Sequence, residues 1–141
     1  MKPEKFSQEI EDMSKEIVSK FDEAWNGRDA DALEGLFHEE ADFQFYYGLM
    51  LRGRKRIKKY YAEKVFPNLP AGWKHVTRSF GVRLLTEGVA IGDGKVDLVD
   101  ENEGDPEKRV QRRLKVTTVV VKEKENWLFS AVRLMVPVKD W

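Results

Sequence analysis

From Phe6 to Trp25 the apolar residues recur at Ile10, Met13, Ile17, Phe21, Ala24 and Trp25, the three-and-four spacing of one helix face. This predicts a long amphipathic helix, closed at Asn26-Gly27, where glycine can take the left-handed conformation that ends helices. Asp29 then offers a carboxylate to the free amides of a short second helix that turns Leu33, Leu36 and Phe37 inward. From Asp42 to Tyr47 the pattern changes to alternation, and with Gly48 as a turn and Leu49-Met50-Leu51 returning it reads as a small hairpin. Gly53 precedes a third helix with Ile57, Tyr60, Tyr61 and Val65 on one face, ended by Pro67 and Pro70.

The remainder reads as strands. Residues 73–85 and 89–99 flank the turn signal Thr86-Glu87-Gly88, 110–122 is rich in β-branched residues, and 127–138 follows the polar turn Glu123-Lys124-Glu125-Asn126. Residues 100–107 are acidic and turn-rich, which predicts a solvated loop. Helix, helix, hairpin, helix and four long strands make an α+β fold, with three helices from the N-terminal half packed on one face of a mostly antiparallel sheet. The other face is then open for self-association, and Leu134-Met135-Val136-Pro137-Val138 adds apolar surface, so a homodimer through the sheet is expected.

Length and composition narrow the classes. A chain of 141 residues buries about two thirds of its unfolded surface in one core, so a single domain over 1–141 is expected. Twenty-five Lys plus Arg balance 25 Asp plus Glu, leaving no net field for polyanions, and nucleic-acid binding is disfavoured. The basic run Arg52 to Lys59 does not reverse this, because Ile57, Tyr60 and Tyr61 make its inner face and the cations its solvated side. With no cysteine and only His38 and His75, disulfide scaffolds, thiolate nucleophiles and multi-His metal sites are set aside, and neither a metal nor a cofactor is expected. The start Met1-Lys2-Pro3-Glu4-Lys5 lacks the apolar core of a signal peptide, and no apolar run approaches the roughly 20 residues of a membrane span. A cytoplasmic location and no membrane partner are the expectation.

Phe21-Asp22-Glu23-Ala24-Trp25-Asn26-Gly27-Arg28-Asp29, then Leu36-Phe37, Glu40-Ala41-Asp42-Phe43, Gly48 and Arg52-Gly53-Arg54 resemble the opening of the SnoaL-like group within the nuclear transport factor two-like superfamily. Residues 110–138, ending in Trp127-Leu128-Phe129-Ser130-Ala131-Val132, look like its closing strand pair. The resemblance implies a cone, also called a cystatin-like roll: a curved sheet wrapped by three helices, with a mainly apolar pocket at the wide end and dimerisation through the sheet. Its members include isomerases, cyclases, dehydratases and proteins without chemistry, so the pocket must decide the function. Aligned on Asn26-Gly27, Ala41 and Gly48, Phe21 and Phe45 fall where steroid isomerases carry a tyrosine and a base aspartate, and Thr117 or Thr118 falls near the later aspartate. Isomerase chemistry of that kind is therefore not expected.

The expected pocket wall is Phe21, Trp25, Phe37, Phe45, Tyr46 and Tyr61, suited to a small flat apolar or aromatic ligand. Aromatic side chains at helical spacing are equally what a filled core requires, and a non-catalytic module docking a partner on its sheet face is the alternative. Arg133 shares strand parity with Trp127, Phe129, Ala131 and Met135, so it is a candidate anchor for a carboxylate or enolate oxygen. A two-residue turn at Glu87-Gly88 sets Val82 against Asp93 and Arg78 against Asp97. Asp93 then lies beside Phe80, Leu84 and Ile91 as a candidate acid or base, and Arg78–Asp97 is a surface ion pair. His75, near its strand's start, is a further candidate pocket base. His38, at a helix end beside two glutamates, is read as structural.

Overall fold

The computed structural model describes residues 3–138; the reading of the chain's start rests partly on Met1 and Lys2, which lie outside them. Helix α1 (Pro3–Asn26) leads to α2 (Ala30–Glu34), strand β1 (Phe37–Gln44), strand β2 (Met50–Arg52) and α3 (Arg54–Tyr60). A π-helical turn (Tyr61–Val65) and a 3-10 turn (Phe66–Asn68) extend α3 before the long strands β3 (Trp73–Thr86), β4 (Val89–Asp100), β5 (Val110–Glu123) and β6 (Asn126–Met135). One six-stranded sheet runs β2-β1-β6-β5-β4-β3. Every pairing is antiparallel except β1 with β6, which is parallel. Three helices on one face of a mostly antiparallel sheet is the architecture expected.

The apolar stripe of α1 explains its docking: Met13, Ile17, Ala24 and Trp25 are buried, and the helix packs along β3. Asp29 caps α2 as expected, its carboxylate accepting from the Ala32 amide at 3.0 Å. The end of α1 differs from expectation, because Arg28 (φ 54°) and not Gly27 takes the left-handed conformation. The Arg28 guanidinium stabilises that backbone by donating to the carbonyls of Trp25 (3.1 Å), Pro70 (3.2 Å) and Trp73 (2.8 Å), which ties α1 to the start of β3. Phe37 and His38 begin β1 and do not end α2. His38 is therefore not at a helix end; Nδ1 accepts from the Glu40 amide and Nε2 faces Glu123, each at 3.1 Å.

The first strand starts and ends earlier than the expected alternation over 42–47, while the spans of the four long strands follow the sequence pattern; their faces do not, because single-residue bulges interrupt the ladders. Thr86 pairs with Val89, the register of a two-residue turn, yet Leu84 pairs with Ala90, so Leu85 is the extra residue. That slip sets Val82 against Gly92 and Asp93 against Gly81, which sends Asp93 to the opposite face from Phe80. A second bulge at Arg78 and a third at Ser130 act alike. The Ser130 bulge leaves Phe129 and Val132 buried and turns Ala131, Arg133 and Met135 outward.

Candidate functional site

Between the helix-bearing face of the sheet and the last turns of α1 lies a cavity of about 230 Å³. Its wall is almost entirely apolar and aromatic, with Phe21, Trp25, Phe45, Tyr46, Tyr61 and His75 among the lining residues. Phe37 is not among them: it is fully buried behind the wall, its ring packed 5.6 Å from Phe129 and 6.0 Å from Phe43 between centroids. Phe80 floors part of the space by lying across two glycines. A Cβ at Gly92 would come within 2.5 Å of the Phe80 ring, and one at Gly94 within 2.4 Å of the Ser79 carbonyl.

Two pairs of residues spaced by four on α1 build the polar end. Phe21 and Trp25 hold the His75 ring between them, at centroid distances of 5.1 and 5.4 Å. One position further along, Asp22 and Asn26 bind the same stretch of β3. Asn26 clamps the His75 backbone, accepting from its amide at 2.7 Å and donating to its carbonyl at 3.1 Å. The Asp22 carboxylate accepts from His75 Nδ1 at 2.6 Å, from the Thr77 hydroxyl at 2.9 Å and from the Thr77 amide at 3.2 Å.

Asp22 also accepts from both Thr77 donors, as a carboxylate does, and opposite a carboxylate His75 Nδ1 carries a proton. In the neutral ring Nε2 then has a lone pair, and it has no partner among the described residues. It is not sealed in the protein, since Trp127 Nε1 is the one buried side-chain polar atom there without a partner, and His75 lines the cavity. A buried imidazole, 8% exposed, held in one tautomer by a carboxylate with the other nitrogen facing an apolar chamber, is an arrangement that can accept a proton from a bound molecule.

Other polar groups on the wall are few. Tyr61, 2% exposed, begins the π-helical turn, a backbone irregularity frequent at functional sites. Burial, and then the neighbouring Tyr47 and Tyr60, push its ionisation above the ordinary tyrosine range, which keeps its hydroxyl protonated and able to donate. The Thr118 hydroxyl reaches the Gly92 carbonyl only at 3.5 Å. At the outer end stand Tyr46, Tyr47 and Arg112, whose Nε points at the Tyr46 hydroxyl at 3.4 Å.

Neither proposed catalytic residue of the strand readings reaches this chamber. Asp93 is exposed on the outer face and accepts from the Thr117 hydroxyl at 2.7 Å. Arg133, also outward, forms an ion pair with Asp42 at 2.6 Å. The bulges at Leu85 and Ser130 are the cause in both cases. Arg78 and Asp97 do form an ion pair, at 2.8 Å. Sequence reasoning missed Asp22, Asn26, Thr77 and Arg112. The first two were visible as a polar pair spaced by four that flanks the aromatic pair Phe21 and Trp25.

With this geometry in hand, likenesses to known proteins are informative. The profile of the SnoaL-like domain matches residues 18–121. No curated protein matches the sequence. Among solved structures, a nuclear transport factor two-like protein with a cystatin-like fold from Novosphingobium aromaticivorans superposes with a TM-score of 0.82 at 15% identity, over 94% of this chain and 85% of that one. A candidate scytalone dehydratase of the same organism gives 0.70 at 16%, over 88% and 81%. A candidate aromatic ring hydroxylase, again from that organism, gives 0.72 at 18%, over 88% and 86%. At these identities the likeness shows the fold.

Proposed function

The chain belongs to the SnoaL-like family, and from that premise we propose that it binds a small planar, largely apolar molecule in the cone and moves a proton on it through His75. The observation that carries this reading is the His75 ring, a lining residue of the cavity, fixed through Nδ1 by Asp22 at 2.6 Å with no partner for Nε2 among the described residues. A volume of about 230 Å³ exceeds the roughly 150 Å³ that holds a benzene ring, which suits a molecule of one or two fused rings.

The chemistry these residues support is proton transfer next to a carbonyl. His75 Nε2 takes the proton from the carbon, the C–H electron pair moves into a carbon–carbon double bond, and the carbonyl π pair settles on oxygen as an enolate. Tyr61, held neutral by burial, supplies a donor for that oxygen. Return of the proton from the imidazolium at the same or a neighbouring carbon completes an exchange or an isomerisation, and loss of a β-hydroxyl from the enolate, protonated by the imidazolium, completes a dehydration. Asp22 keeps the tautomer and stabilises the imidazolium without leaving its place.

The test needs no physiological substrate. In D₂O, 2-tetralone exchanges its α-protons, and the full chain is expected to accelerate this above buffer, with His75→Gln losing at least about 10²-fold. Wild-type protein that binds 2-tetralone without accelerating exchange would leave a binding module in place of an enzyme.

The assembly proposed with this reading is a homodimer through the outer sheet face. What supports it is that no helix among the described residues covers that face, and the half-exposed Ile91, Val119, Val121 and Leu128 there, with Met135 at 41% and Val136 at 60% exposure beside them. Native mass spectrometry at micromolar concentration is expected to give twice the chain mass. No helix among the described residues is long and apolar enough to cross a membrane.

A further inference from the structure

We infer that the ligand of this cavity is a monocarboxylate whose anionic group is held at the rim by Arg112, an inference that rests on the binding reading above and names its substrate class. Arg112 is the one Lys, Arg, Asp or Glu among the cavity-lining residues. Its position follows from the sheet: His75 on β3 pairs with Leu98 on β4, and Leu98 pairs with Arg112 on β5. The three side chains form one row across the inner face, and all three line the cavity. Two strand spacings of about 4.8 Å separate the ends of the row by about 10 Å. A ligand lying over Leu98 meets the free nitrogen of His75 at one end and the guanidinium at the other.

The guanidinium is also unspent. Elsewhere on the sheet Arg78 is paired with Asp97 and Arg133 with Asp42. Arg112 has no carboxylate within ion-pair distance among the described residues. Its contacts are the Tyr46 hydroxyl at 3.4 Å and the Gln111 carbonyl at 3.2 Å. The five donors of a guanidinium form a planar fork that fits a carboxylate with two parallel bonds. Tyr46 and Tyr47, with their rings at 83° and 5.0 Å, and Tyr47 stacked 5.4 Å from Phe45, continue the aromatic wall to this point. Apolar interior, cation at the mouth and proton acceptor at the far end together select a flat acid with its reactive centre several bonds from the carboxylate. A neutral hydrocarbon would leave Arg112 unused, and a dianion would place its second charge against an apolar wall.

Calorimetric titration of the full chain with 2-naphthoate and its neutral isostere 2-naphthamide tests this. The wild-type protein is expected to bind naphthoate at least about tenfold more tightly than naphthamide, as a charge-assisted bond implies. Arg112→Gln should remove that preference while leaving the naphthamide Kd and the melting temperature unchanged. Arg112→Lys should keep part of the preference, and His75→Gln all of it. Equal binding of the two probes by wild type, or a preference that survives Arg112→Gln, overturns the inference while leaving the cavity a binding site. A preference lost with His75→Gln places the carboxylate on the imidazole and also overturns it. Binding of neither probe overturns both this inference and the binding reading beneath it.

Discussion

The two histidines of this chain each sit beside a carboxylate, and they differ in what is left over. His38, on the edge of β1, spends both ring nitrogens within the protein, Nδ1 on the Glu40 amide and Nε2 toward Glu123. Its side chain is 30% exposed and that of Glu123 is 54% exposed, so the pair is a solvated surface contact. His75, in the seam between α1 and β3, spends only Nδ1, on an Asp22 that two donors from Thr77 also hold. Phe21 and Trp25 pack against its ring, and Nε2 is left to the cavity. A carboxylate neighbour alone therefore does not distinguish the two histidines. What separates them is which nitrogen is occupied, how firmly the ring is held, and whether the residue lines an apolar cavity.

Several substitutions break or sharpen this contrast. Asp22→Ala has the largest expected effect, because it strips a carboxylate of three bonds and leaves the Thr77 amide and the imidazole without their acceptor. Urea titration should show a loss of about 3 kcal/mol, and proton exchange on 2-tetralone should fall with it. Gly92→Val comes next, since the added Cβ would collide with Phe80 at 2.5 Å and Thr118 at 2.9 Å. Overpacking of that kind costs about 1–3 kcal/mol, and the displaced Phe80 ring should shrink the cavity, seen as a weaker naphthamide Kd.

On the outer face Arg133→Ala removes a partly exposed ion pair and should cost about 0.5–1 kcal/mol, with no change in probe affinity. Glu123→Ala, the counterpart of Asp22→Ala beside the other histidine, should cost at most about 0.5 kcal/mol in the same titration. It should leave exchange untouched. An equal stability loss for Asp22→Ala and Glu123→Ala would erase the distinction between the two sites.

The sequence made one half of this site readable and hid the other for an identifiable reason. Helix α1 runs without a slip, so Phe21 and Trp25 could be placed on one face from spacing alone, and the residues beside them, Asp22 and Asn26, lay in view. They were passed over because a polar pair next to an apolar stripe looks the same whether it meets water or a strand. Strand parity is less secure: one extra residue inverts every following side chain. Leu85, Arg78 and Ser130 carry no glycine or proline to betray a bulge, which is why Asp93 and Arg133 were expected inside and lie outside. The extra residue Gln111 between the pairs Leu98–Arg112 and Val99–Val110 likewise gave no cue that Arg112 belongs to the rim. Element order and the turn at Glu87-Gly88 were legible because they depend on local chemistry, whereas cross-strand rows depend on every residue between them.

A long-range proton–nitrogen correlation spectrum of the imidazole rings tests the central claim most directly, since the chain contains only these two histidines. With both rings neutral, the account predicts opposite tautomers: the proton on Nδ1 for His75 and on Nε2 for His38. Adding 2-naphthol should then shift the Nε2 resonance of His75 alone. A His75 that carries its proton on Nε2, or whose Nε2 does not respond while 2-naphthol binds, would contradict the reading of this cavity as a site where His75 accepts a proton.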